Sequence, residues 1–349
     1  MVEWGQRCEE MRTKIFGTFG PACASEEKLV KMIEVGMTGM RLNLSHTMLS
    51  ASENYIRNYQ SAAAEAGVTP QILIDMQGPE LRIGKLENPV ELSEGEKVLL
   101  GAADVSENTA KIPVPEEVME VIQTGDEILL DDGKLLVQVE EAVHLPEEKM
   151  VVVRVQRGGI LHSHKSVKIV GKNIKLPPLT EHDIENIKVA KAYGVTALMQ
   201  PFVLSGEDLR YVRHVLKEHG AEDVQIFAKI ENRLGVENLE NILPEADVII
   251  IARGDLGNDM PLWELPKVQK EIEAVCKKAK KPYIVVTQML ASMERNPVPT
   301  RAEVSDIFHA VYHGAWGVML TGETAVGNYP VEAVQYLANT AKETEKYIG

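Results

Sequence analysis

A short apolar run followed by an amphipathic segment recurs along the chain, and this alternation limits the fold more than any other feature. Apolar runs that read as strands occupy residues 14–18 (KIFGT), 38–43, 70–75, 196–203, 224–229, 246–252, 282–287 and 316–320. Runs of this kind suit strands covered on both faces, as in a parallel sheet flanked by helices. The segments between them carry helix-start signals at Ser25-Glu-Glu and at Thr180-Glu-His-Asp. Thr300 and Glu303 have the spacing of a capping box. Eight strands alternating with helices predict a closed (β/α)8 barrel, with an open doubly wound sheet as the alternative.

The alternation stops after the third strand. Residues 86–170 contain short strands and turns instead, among them EKVLLGA, GDEILLDDGKLLVQVEE and KMVVVRVQRGG. Asp131-Asp132-Gly133 is a hairpin signal. The expected division is a discontinuous barrel of residues 1–85 and 171–349, with residues 86–170 a small β-barrel-like insert in a βα connection. Such connections lie at the C-terminal face of a barrel, where active sites sit, so the insert reads as a lid.

Composition excludes several classes. The chain has 349 residues, and 37 Lys and Arg against 52 Asp and Glu give a net charge of -15, which disfavours nucleic acid or an anionic membrane as the main partner. No apolar run reaches the roughly 18 residues of a transmembrane helix. The first residues lack the apolar core of a secretory signal. Cys8, Cys23 and Cys276 are too scattered for a disulfide framework or a zinc site. A reduced, cytoplasmic protein is the expectation.

Polar residues gather at the carboxyl ends of the strands. They are Arg41-Leu-Asn43-Leu-Ser45-His46, Asp75 with Gly78-Pro-Glu80-Leu-Arg82, Lys229-Ile-Glu231-Asn232, Arg253-Gly254-Asp255, Thr287-Gln288 and Thr321-Gly-Glu-Thr324. Glu231 and Asp255 are hard carboxylates suited to Mg²⁺ or Mn²⁺. Lys229 stands two residues from Glu231 and so faces the same side of a regular strand. A lysine there suits a transferring phosphoryl group. Arg41 and Arg82 can clamp phosphate or carboxylate. Asn43, Ser45 and Asp75 form an oxygen-rich set for a cation. Taken singly, such residues are more often salt bridges or helix caps; their joint placement points to a site. Three other motifs read as structural. The glycines of 317–324 have P-loop spacing, but Glu323 replaces the lysine. His162-Ser-His164 lacks a third ligand nearby. Lys277-Lys-Ala-Lys-Lys281 fits a solvated helix end.

Together these strand ends resemble the pyruvate kinase family. The resemblance runs through Thr13-Lys-Ile to Gly20-Pro-Ala22, Arg41-Leu-Asn-Leu-Ser-His46, Gly78-Pro-Glu-Leu-Arg82 and Leu176-Pro-Pro-Leu-Thr-Glu181. It continues through Lys229-Ile-Glu-Asn232, Ala252-Arg-Gly-Asp-Leu-Gly257, Thr287-Gln-Met-Leu290, Pro299-Thr-Arg-Ala-Glu303 and Leu320-Thr-Gly-Glu-Thr324. It implies phosphoryl transfer from phosphoenolpyruvate to ADP, giving pyruvate and ATP, with Mg²⁺ (or Mn²⁺) and K⁺. By the same resemblance, Lys229 and Arg41 are catalytic and contact the phosphoryl group, and Thr287 lies at the face where the enolate is protonated. Glu231 and Asp255 would hold Mg²⁺, and Asn43, Ser45, Asp75 and the carbonyl of Met76 would hold K⁺, with Glu80 marking the K⁺-requiring form. The N–H groups of Gly254 and Asp255 would bind the substrate carboxylate; His46, Arg82 and Lys165 would contact the nucleotide. Barrel-to-barrel contacts leave room for a homodimer.

Departures from the family pattern fall at Gln77, Pro201, Leu204, Lys168, Val170 and Thr321. They keep open a related enolate enzyme with another phosphoryl acceptor or an oxoacid substrate, or a non-catalytic ligand-binding relative. The family's third, effector-binding domain is not present in the sequence, so little response to sugar phosphates or nucleoside monophosphates is expected.

Overall fold

In a computed structural model the described residues are 12–45, 47–102, 111–144, 149–172 and 174–349, with side chains left undescribed at 111, 142–144 and 149. The chain divides into two units, Met1–Pro79 with Pro177–Gly349, and Glu80–Leu176.

The first unit is a closed barrel of eight parallel strands. They are β1 (Lys14–Thr18), β2 (Gly39–Asn43), β3 (Ile72–Asp75), β4 (Ala197–Gln200), β5 (Gln225–Ile230), β6 (Val248–Ala252), β7 (Tyr283–Val286) and β8 (Gly317–Met319). Each pairs with its neighbours in sequence, and β1 closes the ring on β8. Alternation along each strand sorts side chains inward and outward. Phe16, Leu73, Met199, Phe227, Ile250, Ile284 and Met319 form one buried cluster, the filling of the barrel. Ile15, Ile74, Leu198, Ile226, Ile249, Val285 and Val318 belong to a second, which packs under the helices. Two glycines make room for Phe16: a Cβ on Gly39 would stand 2.7 Å from its ring, and one on Gly317 would stand 3.1 Å away.

Helix starts follow the predicted signals. Ser25 caps Glu26–Glu34. Thr180 with Asp183 and Thr300 with Glu303 form reciprocal capping boxes on Glu181–Ala190 and Arg301–Tyr312. Three strands end earlier than their apolar runs, β8 by a single residue at Met319. Beyond β4, Pro201 cannot donate to a ladder and Phe202 turns to φ 53°. Beyond β7, Thr287 turns to φ 79°.

The described residues of the second unit form a six-stranded sheet, a separate two-stranded sheet and one short helix, Glu116–Val121. Its Asp131-Asp132-Gly133 turn joins Glu127–Leu130 to Leu135–His144, with all three turn residues at positive φ. Leu81 and Ile83 also belong to this unit. Ile83 donates to the carbonyl of Lys165 at 2.8 Å, and Val167 donates to that of Leu81 at 2.9 Å. Among the described residues no helix is long and apolar enough to cross a membrane.

Candidate active site

The C-terminal mouth of the barrel collects charges from the ends of three strands and one helix. Asp75, the last residue of β3, is 2% exposed. Its Oδ2 accepts from Arg41 Nε at 2.8 Å and Nη2 at 2.6 Å, and its Oδ1 lies 3.2 Å from Lys229 Nζ. Lys229 also reaches Glu231 Oε1 at 2.8 Å. Arg41 sits on β2 and Lys229 on β5, so strand register brings the three groups together although their sequence neighbours do not.

Burial governs their ionisation. It would pull the Lys229 ammonium down, but the charges of Asp75, Glu231 and Asp255 outweigh it and hold the group protonated. Burial would raise the Asp75 carboxyl; Lys229 and Arg41 overcome it and hold the carboxyl below its usual range. At Glu231 burial wins. Assisted by the charge of Asp255, it pushes the carboxyl up to about 7 against the pull of Lys229 and of the Phe202 N–H.

Glu231 is 1% exposed. Its Oε2 accepts from Phe202 N at 2.8 Å, while its Oε1 faces the Lys229 ammonium and has no other partner among the described residues. Asp255 is exposed in the first turn of the helix Arg253–Asp259. A buried carboxylate with an unsatisfied oxygen and an exposed one nearby are hard oxygen donors of the kind Mg²⁺ takes, and would leave positions for substrate oxygens and water. Among the described residues no cluster of three or more His, Cys, Asp or Glu could cage a metal by itself.

Asn43 and Asp75 are paired across β2 and β3. Asn43 Oδ1 accepts from Ser45 N at 3.1 Å and Ser45 Oγ at 2.9 Å. Met76 is next along the chain, and both oxygens of Asp75 already serve Arg41 and Lys229. Arg82 and Lys165 belong to the second unit. Arg82 pairs with Glu80 and donates to the carbonyl of His164 at 2.9 Å. Lys165 lies 3.0 Å from Asp131. His46 lies outside the described residues.

Thr287 and Gly254 meet at the edge of the mouth. A Cβ on Gly254 would stand 3.0 Å from Thr287 Cγ2. At φ 79° Thr287 is a β-branched residue in the left-handed region, an outlier that costs about 1–3 kcal/mol and gathers at functional sites.

Three supporting residues carried no role in the sequence reading. Asp183 is fully buried and accepts from the backbone of Gln77 (2.8 Å), Gly78 (3.0 Å) and Thr180 (2.9 Å) and from the Thr180 hydroxyl. It thereby ties the loop after β3 to a helix start; the Thr-x-x-Asp spacing was its only signal. Glu323 is 1% exposed and accepts from Leu290 N at 3.0 Å and Thr321 N at 2.7 Å. It knits the loops after β7 and β8, which explains a carboxylate where a phosphate loop would need a lysine. Arg253 holds the carbonyl of Thr287.

The model of the pyruvate kinase barrel domain matches residues 10–334. The chain belongs to the pyruvate kinase family. The pyruvate kinase of Bacillus licheniformis is 41% identical over 340 residues, covering 97% of this chain and 58% of that protein. That of Geobacillus stearothermophilus is 41% identical over 337 residues, 96% of this chain and 57% of that protein. That of Chlamydia pneumoniae is 39% identical over 341 residues, 97% of this chain and 69% of that protein. The chain thus spans less than three-fifths of the two Bacillus-type pyruvate kinases. Pyruvate kinase membership agrees with the barrel and with the sheet-rich second unit.

Proposed function

We propose that the protein transfers the phosphoryl group of phosphoenolpyruvate to ADP, giving pyruvate and ATP. The observation that carries this reading is the Lys229 ammonium, held charged between Asp75 and Glu231 with the Arg41 guanidinium beside it. Phosphoryl transfer needs little covalent work from a protein; it needs fixed positive charge where charge spreads in the transition state. Lys229 and Arg41 supply it from strand ends whose positions are set by the barrel. Their shared counter-ion, Asp75, keeps both side chains in place before substrate arrives.

Glu231 and Asp255 are the groups that would hold Mg²⁺, which when bound neutralises phosphate charge and orients substrate oxygens. Asn43, Ser45, Asp75 and the Met76 carbonyl would hold K⁺. Gly254 and Asp255 would offer first-turn N–H groups to the substrate carboxylate, and Thr287 beside them would serve the enolate carbon. Arg82, Lys165 and His46 are the proposed nucleotide contacts, with residues 86–170 as a lid. A cytoplasmic, glycolytic setting accords with the acidic composition and with two buried free cysteines, Cys23 and Cys276. The departure at Pro201 leaves the Phe202 N–H on Glu231, so it does not dismantle the metal ligand.

The test is pyruvate formation from phosphoenolpyruvate and Mg-ADP with K⁺, using Lys229→Met as the blank. Pyruvate above the blank supports the reading. Its absence, in folded protein that binds Mn²⁺ and phosphoenolpyruvate, would assign the site to another acceptor.

A further inference from the structure

Arg253 follows β6, yet its guanidinium is spent on the loop after β7. Nε and Nη2 donate to the carbonyl of Thr287 at 3.2 and 2.6 Å. Nη1 donates to Asp306 Oδ2 at 2.5 Å, and Nη2 lies 3.0 Å from the sulfur of buried Met289. The Arg253 side chain is 11% exposed and Asp306 37%. Thr287 and Gln288 both have positive φ, 79° and 54°, a backbone that threonine does not choose unaided. The next residue after the arginine is Gly254, whose missing Cβ leaves space for the Thr287 methyl. One dipeptide therefore clamps the carbonyl of Thr287 and makes room for its side chain.

We infer that Arg253, locked by Asp306, is a positioning residue for the proton step. It holds Thr287 in the left-handed conformation that sets its side chain against Gly254. The inference rests on the proposed reading, in which Thr287 serves the enolate carbon. In that step the enolate left by P–O cleavage takes a proton at its methylene carbon to become pyruvate. In reverse, a methyl C–H bond of pyruvate breaks, its electron pair passes into the enolate and its proton passes to solvent water, from which a deuteron returns in D2O. In that reading Thr287 acts on the enolate carbon and Lys229 and Arg41 on the phosphoryl group, so the two halves of the reaction separate the role of Arg253 from general support of the fold.

The experiment compares two rates in wild type, Arg253→Met, Asp306→Asn, Thr287→Ala and the Arg253→Met/Thr287→Ala double variant. One is deuterium exchange into the methyl group of pyruvate in D2O with Mg²⁺, K⁺ and ATP, followed by NMR. The other is ATP formation from phosphoenolpyruvate and ADP. Misplacing a reacting group by about 1 Å costs on the order of 100-fold. Arg253→Met is therefore expected to slow exchange by on the order of 100-fold while ATP formation falls far less, and to add nothing further on Thr287→Ala. Asp306→Asn, the milder change, is expected to show the same split to a smaller degree, and it decides the matter if Arg253→Met fails to fold. Equal loss of both rates, or full additivity with Thr287→Ala, would overturn the inference while leaving the proposed function standing. Wild-type protein with neither activity would overturn the functional reading and the inference with it.

Discussion

Lys229 Nζ and Asp75 Oδ1 stand 3.2 Å apart at the barrel mouth, although 154 residues separate them in the chain. Asp75 is buried and Lys229 partly so, and each partner stabilises the charge of the other. Removing the ammonium takes away fixed charge where phosphoryl transfer needs it. Lys229→Met is expected to lower kcat by about 100- to 1,000-fold, the loss seen when one preorganised donor is deleted. A coupled assay of pyruvate measures it. A loss under tenfold would show that Lys229 does not face the reacting group.

Asp75 also makes stability depend on pH. Its folded-state carboxyl lies below the ordinary value of 3.8 because Lys229 and Arg41 favour the anion more than burial opposes it. Such a group contributes stability that is fully present above the unfolded value and is lost as pH falls through the folded one. The stability gap between wild type and Asp75→Asn is therefore expected to be widest near pH 6 and to shrink below about pH 4. Urea unfolding at both pH values reads it, and a constant gap would refute it.

Asp183 accepts four hydrogen bonds while fully buried. Replacing it leaves the N–H groups of Gln77 and Gly78 without their acceptor and removes a helix cap. Asp183→Ala is expected to cost about 2–4 kcal/mol in chemical denaturation. Because the same loop follows Asp75, activity should fall even in protein that remains folded.

Asn43, Ser45 and Asp75 bring oxygen donors to the ends of adjacent strands, and Glu80 supplies no cation of its own. Activity is expected to rise with K⁺ and to be nearly absent with Na⁺ alone at fixed ionic strength. Equal rates in the two salts would remove the cation from the proposed site.

Much of the site was legible along the chain because barrel strands end where their chemistry begins. Lys229 and Glu231 are two apart, and a regular strand puts them on one side; Thr300 and Glu303 show a helix start by spacing alone. The supporting residues were not legible, since their partners lie far off in sequence. Nothing near Arg253 announces that it will grip the carbonyl of Thr287 and lean on Asp306. Nothing near Glu323 announces the N–H of Leu290. Strand ends were overrun for a related reason: the apolar pattern continues through Phe202 and Val203, while a positive φ at Phe202 has already turned the backbone away.

By itself the sequence determined the barrel, the inserted sheet-rich segment and the family, because local periodicity and ordered motifs are properties of the chain in order. Tertiary structure alone decided how the charges share one another. Asp75 reads as a cation ligand by position, yet closure of the barrel gives one of its oxygens to Arg41 and the other to Lys229. Such pairings come from strand register around a closed sheet, and electrostatic energy depends on distance in space and on burial, neither of which is written in sequence separation.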